Sequence, residues 1–143
     1  MESSLIAQAY ITISAPIAKV WDALVNPEMI KQYLFGTNTV SDWKEGSPIV
    51  WKGVWEGKPY EDKGVILQLK PEQILQYSHF SPLSGQADIP ANYHTVTIEL
   101  SPEAEGTYLQ LSQDNNSTQE DREHSEKLWT MMLTNLKNVL EDE

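Results

Sequence analysis

The sequence contains no cysteine, which excludes a disulfide framework, a thiolate zinc site and catalysis by a thiol nucleophile. Cationic residues are also scarce, with 10 Lys and Arg against 21 Asp and Glu. That balance repels phosphate backbones and anionic lipid surfaces unless a local basic patch overrides it, and the chain has no such patch. Nucleic acid is therefore not an expected partner. No stretch approaches the roughly 20 consecutive apolar residues of a membrane span, so membrane insertion is not expected either. Met1-Glu2-Ser3-Ser4 lacks the basic flank and apolar run of a signal peptide, which makes the cytoplasm the expected location. Internal repeats, linkers and low-complexity segments are missing as well.

What is present is the material of one packed unit. The 143 residues are 40% apolar, and apolar and polar positions alternate through most of their length, so residues 1–143 are read as a single domain. Acid is concentrated in Glu120-Asp121-Arg122-Glu123 and in Glu141-Asp142-Glu143, as expected of a solvated helix face and tail.

Leu5 to Ile13 reads as a strand with Leu5, Ala7, Ala9, Ile11 and Ile13 on one face. The period then changes. Ile17, Val20, Trp21 and Leu24 fall at helical spacing, with Ser14 as a candidate cap and Pro16 suited to the first turn. Asn26-Pro27 ends that helix, and a second short helix runs from Pro27 to about Leu34, with Ile30, Tyr33 and Leu34 inward and Gly36 as its stop. Six strands follow, near Thr37 to Trp43, Ile49 to Trp55, Tyr60 to Leu69, Gln73 to Phe80, Tyr93 to Leu100 and Thr107 to Asp114. Ser81 to Asn92 is a loop, long for a hairpin and a candidate lid. The longest helix spans about Ser117 to Leu140, capped by Ser117 or Thr118, with Trp129, Met132, Leu133, Leu136 and Leu140 as its buried stripe. A lone amphipathic helix of this length buries its stripe by lying across a curved sheet. The expected fold is α+β: a helix-grip in which an antiparallel sheet of about seven strands wraps the C-terminal helix.

The run from Ile13-Ser14-Ala15-Pro16-Ile17 through Val20-Trp21-Asp22-Ala23-Leu24 to Asn26-Pro27-Glu28 resembles the opening of the family named for the activator of heat shock protein 90 ATPase, in the START/Bet v-like superfamily. Gly64 to Tyr77 resembles its central hairpin. Val96 to Leu100 with Gly106 to Leu111 resembles its last two strands, and Trp129 to Lys137 its terminal helix. Members of that family often carry Trp and His at the positions of His79 and Gln113 here. The resemblance implies the helix-grip fold and a pocket between sheet and helix, and through the family's name a chaperone ATPase as an alternative partner.

Period two selects the residues that would line such a pocket. They are Ile49, Trp51 and Trp55; Val65, Leu67 and Leu69; Leu75, Tyr77 and His79; His94, Val96, Ile98 and Leu100; and Leu109, Leu111 and Gln113. Trp129, Met132 and Leu133 would face them from the helix, and Met131 with Met132 would make an adaptable wall. Trp51, Trp55, Leu67, Tyr77, His79, His94, Gln113, Trp129 and Met132 are the candidate ligand contacts. Most of the aliphatic members are expected simply to fill the core, whereas inward Tyr77, His79, His94 and Gln113 require polar partners. His79 and His94 flank the long loop and would sit close together if their strands pair, but neither a third metal ligand nor an orienting carboxylate is visible in the sequence. His124 is expected to be exposed. Nothing has the residue types and spacing of a nucleophile with its base, a phosphate loop or a metal cluster. No catalytic residue, metal or cofactor is therefore expected, although an inward acid beside His79 or His94 would reopen the case for an enzyme. The expected function is the binding of a small hydrophobic molecule, lipid-like or planar and aromatic, in an internal cavity; docking on a heat-shock ATPase is the alternative.

Overall fold

The computed structural model describes residues 5–82 and 85–141. Strand β1 (Leu5–Ile13) is followed by helices α1 (Ile17–Val25) and α2 (Pro27–Tyr33). Then come β2 (Asn38–Ser41), β3 (Pro48–Trp55), β4 (Lys58–Lys70), β5 (Ile74–His79), β6 (His94–Glu103) and β7 (Gly106–Asn116), and finally α3 (Gln119–Glu141). The strands form one antiparallel sheet in the order β1-β7-β6-β5-β4-β3-β2. Everything from β2 to β7 is a meander, and β1 closes against β7 at the far edge. This is the expected helix-grip.

Local chemistry explains the element ends. Asn26 caps α2 by accepting from the Glu28 amide at 3.0 Å, and Pro27 takes the first helical position, where its missing N–H costs nothing. Thr118 caps α3 through its side chain, which accepts from the Asp121 amide at 3.0 Å. At α1 the expected Ser14 cap does not form. Pro16 occupies the capping position with no side-chain hydrogen bond, and the Ser14 amide instead donates to Glu141 Oε2 at 2.7 Å. The first helix entry is thereby tied to the last turn of α3. Glu56 and Gly57, both at positive φ, make the two-residue turn between β3 and β4, the conformation that matches the twist of paired strands.

Helix α3 lies chiefly on β1, with further packing on β7, α2 and α1, while α2 packs against β2. Met132, Leu133, Leu136 and Leu140 are buried in one cluster with Ile13, Val20, Ile49, Trp51, Ile66, Leu75, Tyr77, Val96, Ile98, Leu109 and Leu111. Trp129 is only half-buried at its edge. Met131 does not join Met132 in a wall, being 50% exposed.

The inner face of β4 differs from the expected one. It carries Tyr60, Asp62, Gly64 and Ile66, whereas Val65 and Leu67 are 39% and 44% exposed. A β-bulge between Ile66 and Gln68 makes Leu67 the extra residue, so Ile66 faces Tyr77 while Leu69 faces Leu75. Leu69 thus returns to the core side as a half-buried residue, and Leu67 never reaches it. Gly64 is required where it stands: a Cβ there would lie 1.7 Å from the Ser78 carbonyl oxygen.

Two substitutions check this packing. Leu136→Ala, at a site with 0% exposure, is expected to lower stability by about 2–5 kcal/mol in urea unfolding, and Leu128→Ala, at 42% exposure, by well under that. Gly64→Ala should cost about 2–4 kcal/mol, because the clash is with backbone and β4 must move off β5 to relieve it.

Candidate ligand site at the open end of the grip

Four rings form a row across the inner face. Trp51 on β3 lies against Tyr77 and His79 of β5, with ring centroids 5.0 and 5.1 Å apart. His79 pairs in register with His94 on β6, and their ring centroids are 6.4 Å apart. The row is graded in exposure: Trp51 and Tyr77 are buried at 6% and 8%, and both histidines are half-buried. Burial pushes the Tyr77 phenol well above its ordinary range, so it stays neutral at any physiological pH. Tyr33, on α2 in the same core, is raised by burial and then by proximity to Tyr77, and donates to the Ala23 carbonyl at 2.8 Å.

Both histidines have a fixed orientation. His94 Nδ1 lies 2.8 Å from the Asp114 carbonyl oxygen; that partner only accepts, so the proton is on Nδ1 and Nε2 of the neutral ring is an acceptor. His79 Nε2 lies 2.9 Å from Asp62 Oδ2, which places its proton on Nε2 by the same argument. Gln113 Oε1 accepts from Trp129 Nε1 at 2.5 Å, and this bond pins the half-buried end of α3 to β7. Asn116 reinforces the same junction: its amide donates to the Leu5 and Gln113 carbonyls, and its Oδ1 accepts from Ser125.

The row ends at a recess of about 360 Å³ whose lining includes His94, Gln113, Asn92, Asn116, Asp121 and an exposed His124. The rim beyond it, the segment before β6, is well tied. Asp88 receives Lys63 and the Tyr93 hydroxyl, and these two bonds, Lys63 first, hold the Asp88 carboxyl below its usual range. Phe80 stacks on Tyr93 at 5.1 Å, Asn115 donates to the Ala91 and Tyr93 carbonyls, and Pro90–Asn92 forms a 3₁₀ turn.

Of the nine candidate contacts, Trp51, Tyr77, His79 and His94 are brought together. Gln113 and Trp129 close the same end, and Met132 is buried in the adjoining core. Leu67 is on the outer face. Trp55 ends β3 opposite Lys58; its side chain lies outside what the structure describes. The inner carboxylate whose presence the sequence did not reveal is Asp62. With Tyr60 it was hidden by the parity assigned to β4. The signal was available, since charged Glu61 and Lys63 share their parity with Val65 and Leu67 and mark that face as outward. Among the described residues, no group of three or more His, Asp or Glu side chains is placed to hold a metal ion. No helix among them is long and apolar enough to cross a membrane.

A curved antiparallel sheet around a long C-terminal helix defines a START/Bet v-like helix-grip domain. Within that class the chain belongs to the family described as activator of Hsp90 ATPase homolog 1-like proteins, whose sequence model matches residues 14–141. Its structure is similar to that of ChR145 from Cytophaga hutchinsonii, at 60% identity and a TM-score of 0.88, covering 99% of this chain and 97% of that one. It is also similar to MLL2253 from Mesorhizobium loti, at 22% identity and a TM-score of 0.76, covering 96% and 98%. A third similar fold is DynU16, described as a putative protein in the dynemicin biosynthetic locus, at 17% identity and a TM-score of 0.79, covering 95% and 47%. No curated protein matches the chain in sequence.

The Trp129–Gln113 bond gives a direct test of the site's architecture. Trp129→Phe, which leaves Gln113 Oε1 without its donor, should destabilise by about 1–3 kcal/mol in urea unfolding. The double variant Trp129→Phe/Gln113→Leu should recover part of that loss in a double-mutant cycle.

Proposed function

We propose that the chain binds a small hydrophobic molecule, planar or lipid-like, between the inner face of the sheet and α3, entering at the end marked by His94 and Gln113. The observation that carries this reading is the graded row of rings, from buried Trp51 through Tyr77 to half-buried His79 and His94, leading to the 360 Å³ recess. An apolar wall with a few oriented polar groups is the usual make-up of a small-molecule site. Helix α3 packs toward the β1 and β7 end of the sheet, so the inner faces of β3, β4 and β5 are the region where a guest displaces side chains rather than helix backbone. Trp51, Tyr77, His79, His94, Gln113, Trp129 and Met132 are the residues assigned to the contact.

The energetics are sufficient. Burying about 300 Å² of ligand surface at roughly 25 cal/mol per Å² supplies on the order of 7 kcal/mol before the entropic cost of binding. Micromolar affinity is within reach on those terms.

Tryptophan fluorescence titration with fatty acids, sterols and planar polyphenols tests the proposal. Saturable quenching at micromolar ligand is expected, reduced by at least about half in Trp51→Phe, since that indole stands at the inner end of the row. A flat response to the whole panel in folded protein would sink the reading and move the weight to docking on a chaperone ATPase, the partner suggested by the family's description.

A further inference from the structure

Among the described residues, two buried side-chain polar atoms have no hydrogen-bond partner, Thr39 Oγ1 and Asp62 Oδ1. They lie in one row of the sheet. Thr39 pairs with Trp51 across β2 and β3, and Trp51 pairs with Asp62 across β3 and β4. Directly paired residues project to the same side of a sheet, so the two lone oxygens flank the Trp51 ring on the inner face, on strands about 10 Å apart.

The two oxygens of Asp62 are in different situations. Oδ2 accepts from His79 Nε2 at 2.9 Å, which fixes the carboxylate's position, while Oδ1 is buried with no donor. A buried carboxylate oxygen without a donor is costly. The lysines of neighbouring positions do not relieve it: Lys52 and Lys63 are exposed on the opposite parity, and Lys63 is engaged by Asp88. An aliphatic guest would leave Oδ1 as it is. A guest with an O–H at its edge would satisfy it while laying its ring plane against Trp51.

Resting on the ligand-binding reading above, we propose that Asp62, positioned by His79, is the polar anchor of the site, and that the ligand class is hydroxyl-bearing planar aromatics whose O–H donates to Asp62 Oδ1. No proton needs to be transferred; the neutral hydroxyl is the recognised form. The Thr39 hydroxyl, on the other side of Trp51, is placed to bond a second polar group at the far end of such a molecule. Asp62 and Thr39 thus extend the site toward β2, beyond the residues on β5, β6 and β7.

A matched pair of probes tests the anchor. ¹⁵N–¹H spectra of the protein titrated with 2-naphthol and with 2-methoxynaphthalene compare the same ring system with and without a donor. The expected result is that 2-naphthol binds at least about tenfold more tightly, the ratio associated with a hydrogen bond to a charged group. In Asp62→Asn that preference should shrink to within about threefold, with the affinity for 2-methoxynaphthalene little changed. His79→Leu, which removes the donor that positions the carboxylate, should weaken the preference in the same direction and serves if Asp62→Asn does not fold. Equal affinities in the natural protein, or a preference that survives Asp62→Asn, would overturn the anchor while leaving the binding site standing. Failure of both probes together with a flat fluorescence panel would overturn the binding site and the anchor together.

Discussion

Helix α3 carries Met132, Leu133, Leu136 and Leu140 on one stripe, and no second long helix is present among the described residues to cover them. Burial of that stripe against the sheet is the interaction on which the other features depend. The sheet must curve to meet a cylinder, so its inner face is concave and its strands alternate between core and solvent. The bond from the Ser14 amide to Glu141 and the contacts of Lys137 with Thr12 and Glu141 fasten the C-terminal end of the helix to β1. The bonds of Trp129 to Gln113 and of Ser125 to Asn116 fasten the other end to β7.

Fastening the helix along the β1–β7 side has a chemical consequence across the sheet. There the inner face is mainly aliphatic, with Ala7, Ala9, Ile13, Leu109 and Leu111. Toward β2 it becomes polar, with Thr37, Thr39, Tyr60 and Asp62 around Trp51, and with His79 beside them on β5. Part of this polar flank is internally satisfied: Thr37 shares a short 2.5 Å hydrogen bond with the Tyr60 hydroxyl, and Gly53 leaves the room that the Tyr60 ring occupies. The remainder, Thr39 Oγ1 and Asp62 Oδ1, is not. One half of the concave face is therefore an aliphatic core, and the other carries polar groups of which two oxygens have no partner among the described residues.

Membership of the family gives the fold and leaves the ligand open, because helix-grip domains place different side chains on the same concave face. In this chain the polar groups on that face include the pair Asp62 and His79, the pair His79 and His94 in register, and the Gln113–Trp129 clasp.

Element order, the number of strands, the two short helices and the buried stripe of α3 were legible in the sequence, because each rests on a period of two or 3.6 residues and on turn residues next to it. So was the inward parity of Trp51, on β3, and of Tyr77, His79, His94 and Gln113, because β3 pairs with β4 and β5, β6 and β7 pair with one another without a break in register. Tertiary structure alone decided the rest. The bulge at Leu67 is a mismatch of register between two strands, and no period within β4 reveals how many residues β5 places opposite it. That one extra residue reconciles an outward Val65 and Leu67, the face that charged Glu61 and Lys63 already mark, with an inward Leu69, and it leaves Asp62 on the inner face beside His79. The Ser14 contact is of the same kind, since its partner Glu141 is distant in sequence. A chain determines by local pattern which residues alternate. Which of them meet, and which polar atoms are left without a partner, is settled only when distant strands come into register.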